Sequence, residues 1–369
     1  MSWTSYALYY TDLDRLLVDC VGPALEAVDG DLDKAFWIRH YAGGRHLRVH
    51  LSGPAEAREH AAAHLIAEAE RYMAEQPSEP VTDYDPEAAE KLMRYEEAEA
   101  DHFDLTYRVN EIQPIEYKTS KERFESEAAS VLLEDFYTGV RPIILDVLRD
   151  VVYNDGDKRL HALRLYAVHS LVVSRGYGQG CVSFMSHWEG FRLTNPPGVI
   201  KSIEQAYTNH RDLIIGTMQE VLDWYEGPRD DSEPILLAWG RFESGVLRRA
   251  FKDVQDGHML VSHANVDSWS YVRNALDKTE EKSEFLEAMY ANSQFCESMR
   301  YNDSFTVTRV GVNLLYVLIA SLGLNVLDKY TLCHAAQRAA QEAFGEDLVG
   351  YLRTNIGDTV EMNPEYVAA

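Results

Sequence analysis

The sequence predicts an α+β protein, with an N-terminal β-α-β-β-α layer followed by a mostly helical remainder. Three observations predict it. Short runs rich in aromatic and β-branched residues lie before Leu51, Gly and Pro punctuate them, and helical periodicity takes over from Lys121 onward.

Ser5–Tyr10 reads as the first strand, followed by a helix from Leu13 to about Ala27 that ends near Gly30. Ala35–Tyr41 and His46–Leu51 read as two more strands, joined by Ala42-Gly43-Gly44-Arg45. The paired glycines suit a turn that needs positive φ. Pro54 opens an Ala/Glu-rich helix to about Ala74, proline being favoured in a first helical turn. Gln76–Pro86, with Pro77 and Pro80, reads as a linker, and Phe103–Tyr117 as one more strand or hairpin. Helices follow near Glu122–Asp150, Leu160–Ser174, Val199–Trp224, Ile235–Phe251, Lys282–Tyr301, Ser304–Leu322 and Val326–Phe344. Residues 1–120 are thus the α+β portion and 121–369 the mainly helical portion, expected to form one catalytic unit.

Composition narrows the function classes. A chain of 369 residues that is 46% hydrophobic has enough apolar surface for a sizeable core. A net charge of -25 repels phosphate backbones, which argues against a nucleic-acid partner. The start MSWTSYALYY lacks a basic segment followed by an apolar run, so no signal peptide is expected and the location is read as cytoplasmic. Val310–Leu327 is apolar but broken by Asn313, Ser321, Gly323 and Asn325, and reads as a buried helix rather than a membrane span. Cys20, Cys181, Cys296 and Cys333 are far apart and read as free core thiols. No HExxH or CxxC spacing occurs, so no metal site is expected.

Acidic residues number 60, which makes their absence informative. None lies between Asp33 and Glu56, between Asp157 and Glu189, or between Asp303 and Asp328. The first window holds six Arg and His residues in the twelve positions from Arg39 to His50. On a strand, Arg39 and Tyr41 share one face, and His46, Arg48 and His50 share one face. The second window contains His187, a candidate acid or base because imidazole titrates near neutrality. In the third, Arg309, Asn313 and Tyr316 fall on one face of an otherwise apolar helix. Tyr301 and Ser304 precede that helix, Ser304 being also a candidate N-cap. The windows are expected to meet in one neutral-to-cationic site suited to an anionic or carbonyl-rich peptide. A Ser-His-Glu triad within Ser186-His187-Trp188-Glu189 is rejected, because no GxSxG elbow is present. The Gly176–Gly180 run follows no clear strand and is no dinucleotide fingerprint.

Trp37-x-Arg39-x-Tyr41, then Gly44 and His46-Leu47-Arg48, resembles the W-x-R-Y…H-L-R-x-R signature of the lantibiotic dehydratase C-terminal, or thiopeptide-type bacteriocin biosynthesis, family. Ser186–Phe191 and the helix around Asn313 extend the resemblance. It implies a fold related to the elimination domain of lantibiotic dehydratases. It also implies one of two activities on a ribosomally made peptide: glutamate elimination from glutamylated Ser/Thr, or a formal [4+2] cycloaddition of two dehydroalanines that builds a pyridine. The sequence departs from the eliminases. His50 stands where the second Arg of H-L-R-x-R is kept, Arg309 stands where the eliminase histidine is placed, and 369 residues are too few for the glutamylation domain, which is therefore not expected. The departures favour the pyridine synthase subset.

On that resemblance the partner is a modified precursor peptide with its leader, and no cofactor is required. His187, Tyr316, Tyr301 and Ser304 are the expected catalytic residues. Arg39, His46, Arg48, Arg309, Asn313 and Glu189 are expected to bind substrate. The rival readings are a split eliminase and a non-catalytic leader-binding subunit. The sequence leaves the oligomeric state open, a homodimer included.

Overall fold

The structure is a computed structural model that describes residues 2–82, 84–87, 89–90, 105–118, 126–174, 176–227, 232–258, 282–296 and 302–354. It is α+β, as the periodicity predicts, and divides into two compact units. The first comprises residues 1–119 and 134–156, the second residues 120–133 and 157–369.

The first unit holds an antiparallel sheet of β1 (Trp3–Tyr9), β2 (Lys34–His40), β3 (His46–Ser52) and β4 (Glu111–Ile115), in the order β2-β3-β1-β4. Helices α1 (Leu13–Leu16) and α2 (Gly22–Glu26) separate β1 from β2, and α3 (Ala55–Glu75) follows β3, a split β-α-β-β-α-β arrangement. Asp12 caps α1 by accepting from the Arg15 N–H at 3.1 Å. The turn between α1 and α2, Leu17–Val21, is π-helical. Pro23 beyond it has no N–H to return to the ladder. The glycine turn forms as expected, with Gly43 at φ 71° and Gly44 at φ 114°. A Cβ on Gly44 would lie 2.5 Å from the Arg108 carbonyl oxygen, because the segment leading into β4 runs against this turn.

Register assigns the two faces of the sheet. Phe36 opposes His50, Ile38 opposes Arg48 and His40 opposes His46, so these six share a face. Arg39 opposes Leu47 on the other face, with the buried Trp37, Val49 and Leu51. Helix α4 (Glu127–Tyr153) packs on the histidine face. There Tyr137 stacks on Phe36 at 5.2 Å and buried Lys34 pairs with Glu134 at 3.0 Å and Asp135 at 2.7 Å. The composition break at residue 120 therefore does not divide the units, since residues 134–156 belong with the sheet. Periodicity identifies a helix but not the surface it packs on.

The second unit is helical: α5 (Lys158–Val173), α6 (Tyr177–Thr194), α7 (Pro197–Glu226), α8 (Pro234–Gln255), α9 (Glu284–Ala291), α10 (Asp303–Ser321), α11 (Val326–Ala343) and α12 (Leu348–Thr354). Its central helix is α5, buried continuously from Leu165 to Val173. Helix α6 was not predicted, because the Gly176–Gly180 run reads as loop. The structure explains Gly180: a Cβ there would lie 2.5 Å from the Ser170 Cα, so glycine lets α6 lie directly on α5. Helix α10 passes the length and hydropathy test for a membrane span, but half of that apolar window is buried against its neighbours, as in a core helix. Its N-cap is Asn302, which accepts from the Phe305 N–H at 2.9 Å, and not Ser304.

Candidate functional site

His187 lies in the middle of α6 and Tyr316 in the last third of α10. The bundle brings the Tyr316 hydroxyl to 3.1 Å from His187 Nδ1, with the rings perpendicular at 5.2 Å. His187 Nδ1 also lies 2.8 Å from the Ser183 carbonyl, one turn earlier. A carbonyl only accepts, so this contact assigns the ring hydrogen to Nδ1 and leaves Nε2 as the basic nitrogen. The Tyr316 hydroxyl hydrogen then points elsewhere, to Cys333 Sγ at 3.4 Å or to a ligand.

Three residues outside the expected site complete this cluster. Cys333, on α11, is fully buried beneath Tyr316. Tyr166, on α5, is also fully buried, 6.2 Å from the Tyr316 ring. Lys329, one turn before Cys333, holds its Nζ 3.9 Å above the Tyr316 ring centroid and 5.0 Å from that of Tyr330. Lys329 is not singled out by the sequence pattern because it follows Asp328, which closes the acid-free window. That carboxylate is turned away: it accepts from the Asn325 N–H at 3.0 Å and from Arg159 at 2.8 Å.

The electrostatics follow from burial. His187 is pushed down to about 4, by desolvation first and then by the positive charges of Lys329 and Arg309. It is therefore neutral at pH 7, an acceptor rather than a donor of protons. Desolvation drives the Tyr316 hydroxyl well above its ordinary range and the Cys333 thiol up to about 11, so both keep their hydrogens.

The remaining expected residues are placed as follows. Arg309 is half-buried two turns before Tyr316, and desolvation lowers its pKa. Asn313, between them, is exposed. Ser304 is half-buried, and its carbonyl accepts from Thr308 at 3.0 Å. The Glu189 carboxylate is bound by Arg192 at 2.8 Å, which engages it within its own helix rather than leaving it open to a ligand. Tyr301 lies outside the described residues.

Arg39, His46 and Arg48, which lie in the other unit, do not form one row. Arg39 pairs with Asp14 at 2.6 Å on the sheet face opposite His46 and Arg48. His46 Nδ1 lies 2.9 Å from the Gly44 carbonyl, and its Nε2 accepts from Arg48 Nε at 3.4 Å. Desolvation, reinforced by the Arg48 charge, holds His40 near 2, His46 near 4 and His50 near 3. This face therefore presents neutral imidazoles around Arg48 at pH 7, packed with Tyr9 and Phe36.

Among the described residues, no cluster of three or more His, Cys, Asp or Glu could hold a metal ion. His169 and Glu243 form a fully buried hydrogen-bonded pair between α5 and α8. Among the described residues, His169 Nε2 and Glu243 Oε2 have no partner, and the pair reads as a core element.

A family profile described as lantibiotic biosynthesis dehydratase C-term matches residues 3–340. No curated protein sequence matches. Among solved structures, the fold is similar to one described as "Pyridine synthase, TbtD, from thiomuracin biosynthesis". Identity is 21% and the TM-score 0.71, covering 94% of this chain and 99% of that one. It is also similar to TsrL, at 19% identity and a TM-score of 0.68, covering 95% of this chain and 98% of that one. The tRNA-dependent lantibiotic dehydratase MibB from Microbispora sp. 107891 aligns at 16% identity and a TM-score of 0.45, covering 93% of this chain and 28% of that one.

Proposed function

The chain belongs to the lantibiotic biosynthesis dehydratase C-terminal family, and from that premise we propose that it is a pyridine synthase acting on a modified ribosomal peptide. One observation carries the reading: a neutral imidazole and a protonated phenol meet at 3.1 Å, beside two cations. That set supports proton removal and oxyanion stabilisation, which a formal [4+2] aza-cycloaddition needs. The fold shared end to end with a pyridine synthase supports it further.

The substrate is a precursor peptide with two dehydroalanines and its leader. His187 Nε2 removes the N–H proton of one dehydroalanine amide while Tyr316 donates a hydrogen bond to its carbonyl oxygen. The proton returns to that oxygen, completing an iminol and hence an aza-diene. Two carbon–carbon bonds then form as three π bonds become one: the methylene carbon of the aza-diene joins the methylene of the second dehydroalanine and the iminol carbon joins its α-carbon, closing a six-membered ring that bears the hydroxyl. Loss of water and then of the leader as its amide leaves the aromatic pyridine. No metal or redox cofactor enters this scheme. Holding the two alkenes together is the other task, and positioning alone is worth roughly 7–11 kcal/mol in favourable cases.

The eliminase alternative is weakened by His50. In the position of the second arginine of the signature, it is a buried, neutral ring 2.9 Å from Ser5 Oγ, and does not supply an arginine's charge. Mass spectrometry on a bis-dehydroalanine precursor separates the readings. Cyclisation gives loss of water and the leader amide with a new pyridine absorbance. Free glutamate from a glutamylated precursor would establish elimination, and binding without any mass change would leave a leader-binding subunit. His187→Gln is expected to lower kcat by about 10²-fold or more, and Tyr316→Phe by about 10²-fold. Full turnover by both variants would mean that the chemistry lies elsewhere.

A further inference from the structure

Lys329 is a cation in an unfavourable place. It is half-buried, and among the described residues no carboxylate pairs with it. Its ammonium lies over the faces of Tyr316 and Tyr330, at 3.9 and 5.0 Å from the ring centroids. It also lies at the fourth residue of α11, near the positive end of the helix dipole. A cation–π contact gives about 2 kcal/mol when desolvated, whereas withdrawing an ammonium from water costs several kcal/mol. The aromatic faces therefore do not by themselves account for an ammonium at this position.

Arg309 repeats the pattern. It is half-buried, and among the described residues it has no ion pair. Both cations act on His187. This occurs in a chain with 60 acidic residues, where carboxylates are plentiful. Nearby acids are engaged elsewhere, Asp328 by Arg159 and Glu189 by Arg192.

We propose that Lys329, supported by Arg309, forms an anion site beside His187 and Tyr316 that binds a negatively charged oxygen of carboxylate type on the peptide substrate. The proposal deepens the function given above and rests on its assignment of the site to His187 and Tyr316. In that scheme the oxygen is the amide carbonyl oxygen of the dehydroalanine, which takes up the negative charge, shared with nitrogen as in a carboxylate, while His187 holds the amide proton. Lys329 Nζ, on the face of the Tyr316 ring, and the Tyr316 hydroxyl, at its edge, would approach that oxygen from two directions.

The test uses the full chain and two small probes, N-acetyldehydroalanine and its neutral methylamide. Binding is followed through the His187 ring signals in histidine-labelled protein and through thermal shift. The expected result is saturable binding of the carboxylate probe, with the methylamide at least tenfold weaker. Lys329→Met is expected to weaken the carboxylate probe tenfold or more and to leave the methylamide unchanged. Lys329→Arg is expected to restore carboxylate binding, and Arg309→Met to weaken it to a smaller extent. Equal affinity of wild type and folded Lys329→Met for the carboxylate probe would overturn the proposal, as would no binding by a folded wild type. Should Lys329→Met fail to fold, Lys329→Gln takes its place under the same criteria. The two readings fail separately. Carboxylate binding that depends on Lys329, without cyclisation of the precursor, would retain the anion site and remove the pyridine synthase. Cyclisation at the wild-type rate by Lys329→Met would do the reverse.

Discussion

His187 has the chemistry of a base because of where it sits. Burial and two nearby cations hold it at about 4, and the Ser183 carbonyl fixes its hydrogen on Nδ1. The kcat/KM of the free enzyme is therefore expected to stay level from pH 8 to about pH 5 and to fall only as the pH approaches 4. A stopped assay after a brief pH jump, with circular dichroism to confirm folding, checks it. An acid limb near 6.5 would mean that the ring is solvated. At this scale about half of the candidate cluster was legible in the sequence. Tyr316 was legible because a polar stripe on an apolar helix needs partners, and His187 because an imidazole inside an acid-free window can act as an acid or base near neutrality. Lys329 was not, because an acid next to it in sequence hides it, and only the fold shows that Asp328 turns towards Arg159. Arg39 misled, since a basic residue in a motif looks available until its partner, Asp14, appears across the fold.

Two glycines in α6 make opposite predictions. Gly180 lies against Ser170, where a Cβ would meet backbone at 2.5 Å, whereas nothing lies within 4 Å of a Cβ on Gly190. Gly180→Ala is expected to cost about 1–3 kcal/mol by overpacking and to reduce turnover, because it pushes α6, and His187 with it, off α5. Gly190→Ala is expected to stabilise by about 0.5–1 kcal/mol, as alanine does in an unobstructed helix. Urea denaturation of both variants checks the pair. The buried His169–Glu243 contact makes a further prediction. Glu243→Leu leaves an imidazole without its partner and is expected to cost about 3–5 kcal/mol. The double variant His169→Leu/Glu243→Leu is expected to recover much of that loss, which a double-mutant cycle measures. Most elements were legible, because strands and amphipathic helices carry their own periodicity. Helix α6 was not, because its first turns contain Gly178 and Gly180, which make room for Glu346 and for α5 rather than forming a turn.

Over the whole molecule, the buried histidines set the response to acid. His40, His46, His50, His187 and His334 are all depressed by desolvation, to between about 2 and about 4. Each is neutral in both folded and unfolded chains above about pH 6.5. Below that, the unfolded chain takes up protons that the folded chain refuses, so stability falls as the pH drops towards 4. The slope is at most about 1.4 kcal/mol per pH unit for each histidine. Urea midpoints at pH 7.5 and pH 5 are expected to show a clear loss at the lower value, and equal midpoints would mean that these rings are hydrated. The sequence by itself determined the α+β class, the glycine turn between β2 and β3, the family signature and the two residues at the centre of the candidate site. These are local properties, carried by periodicity, by backbone conformations open chiefly to glycine, and by residue types at fixed spacing. Only the tertiary structure decided the sheet order, the return of residues 134–156 to the sheet, the separation of Arg39 from the histidine face, and the meeting of His187, Tyr316 and Lys329. Each of these depends on which surfaces bury one another, and burial between distant segments leaves no mark in the spacing of neighbours.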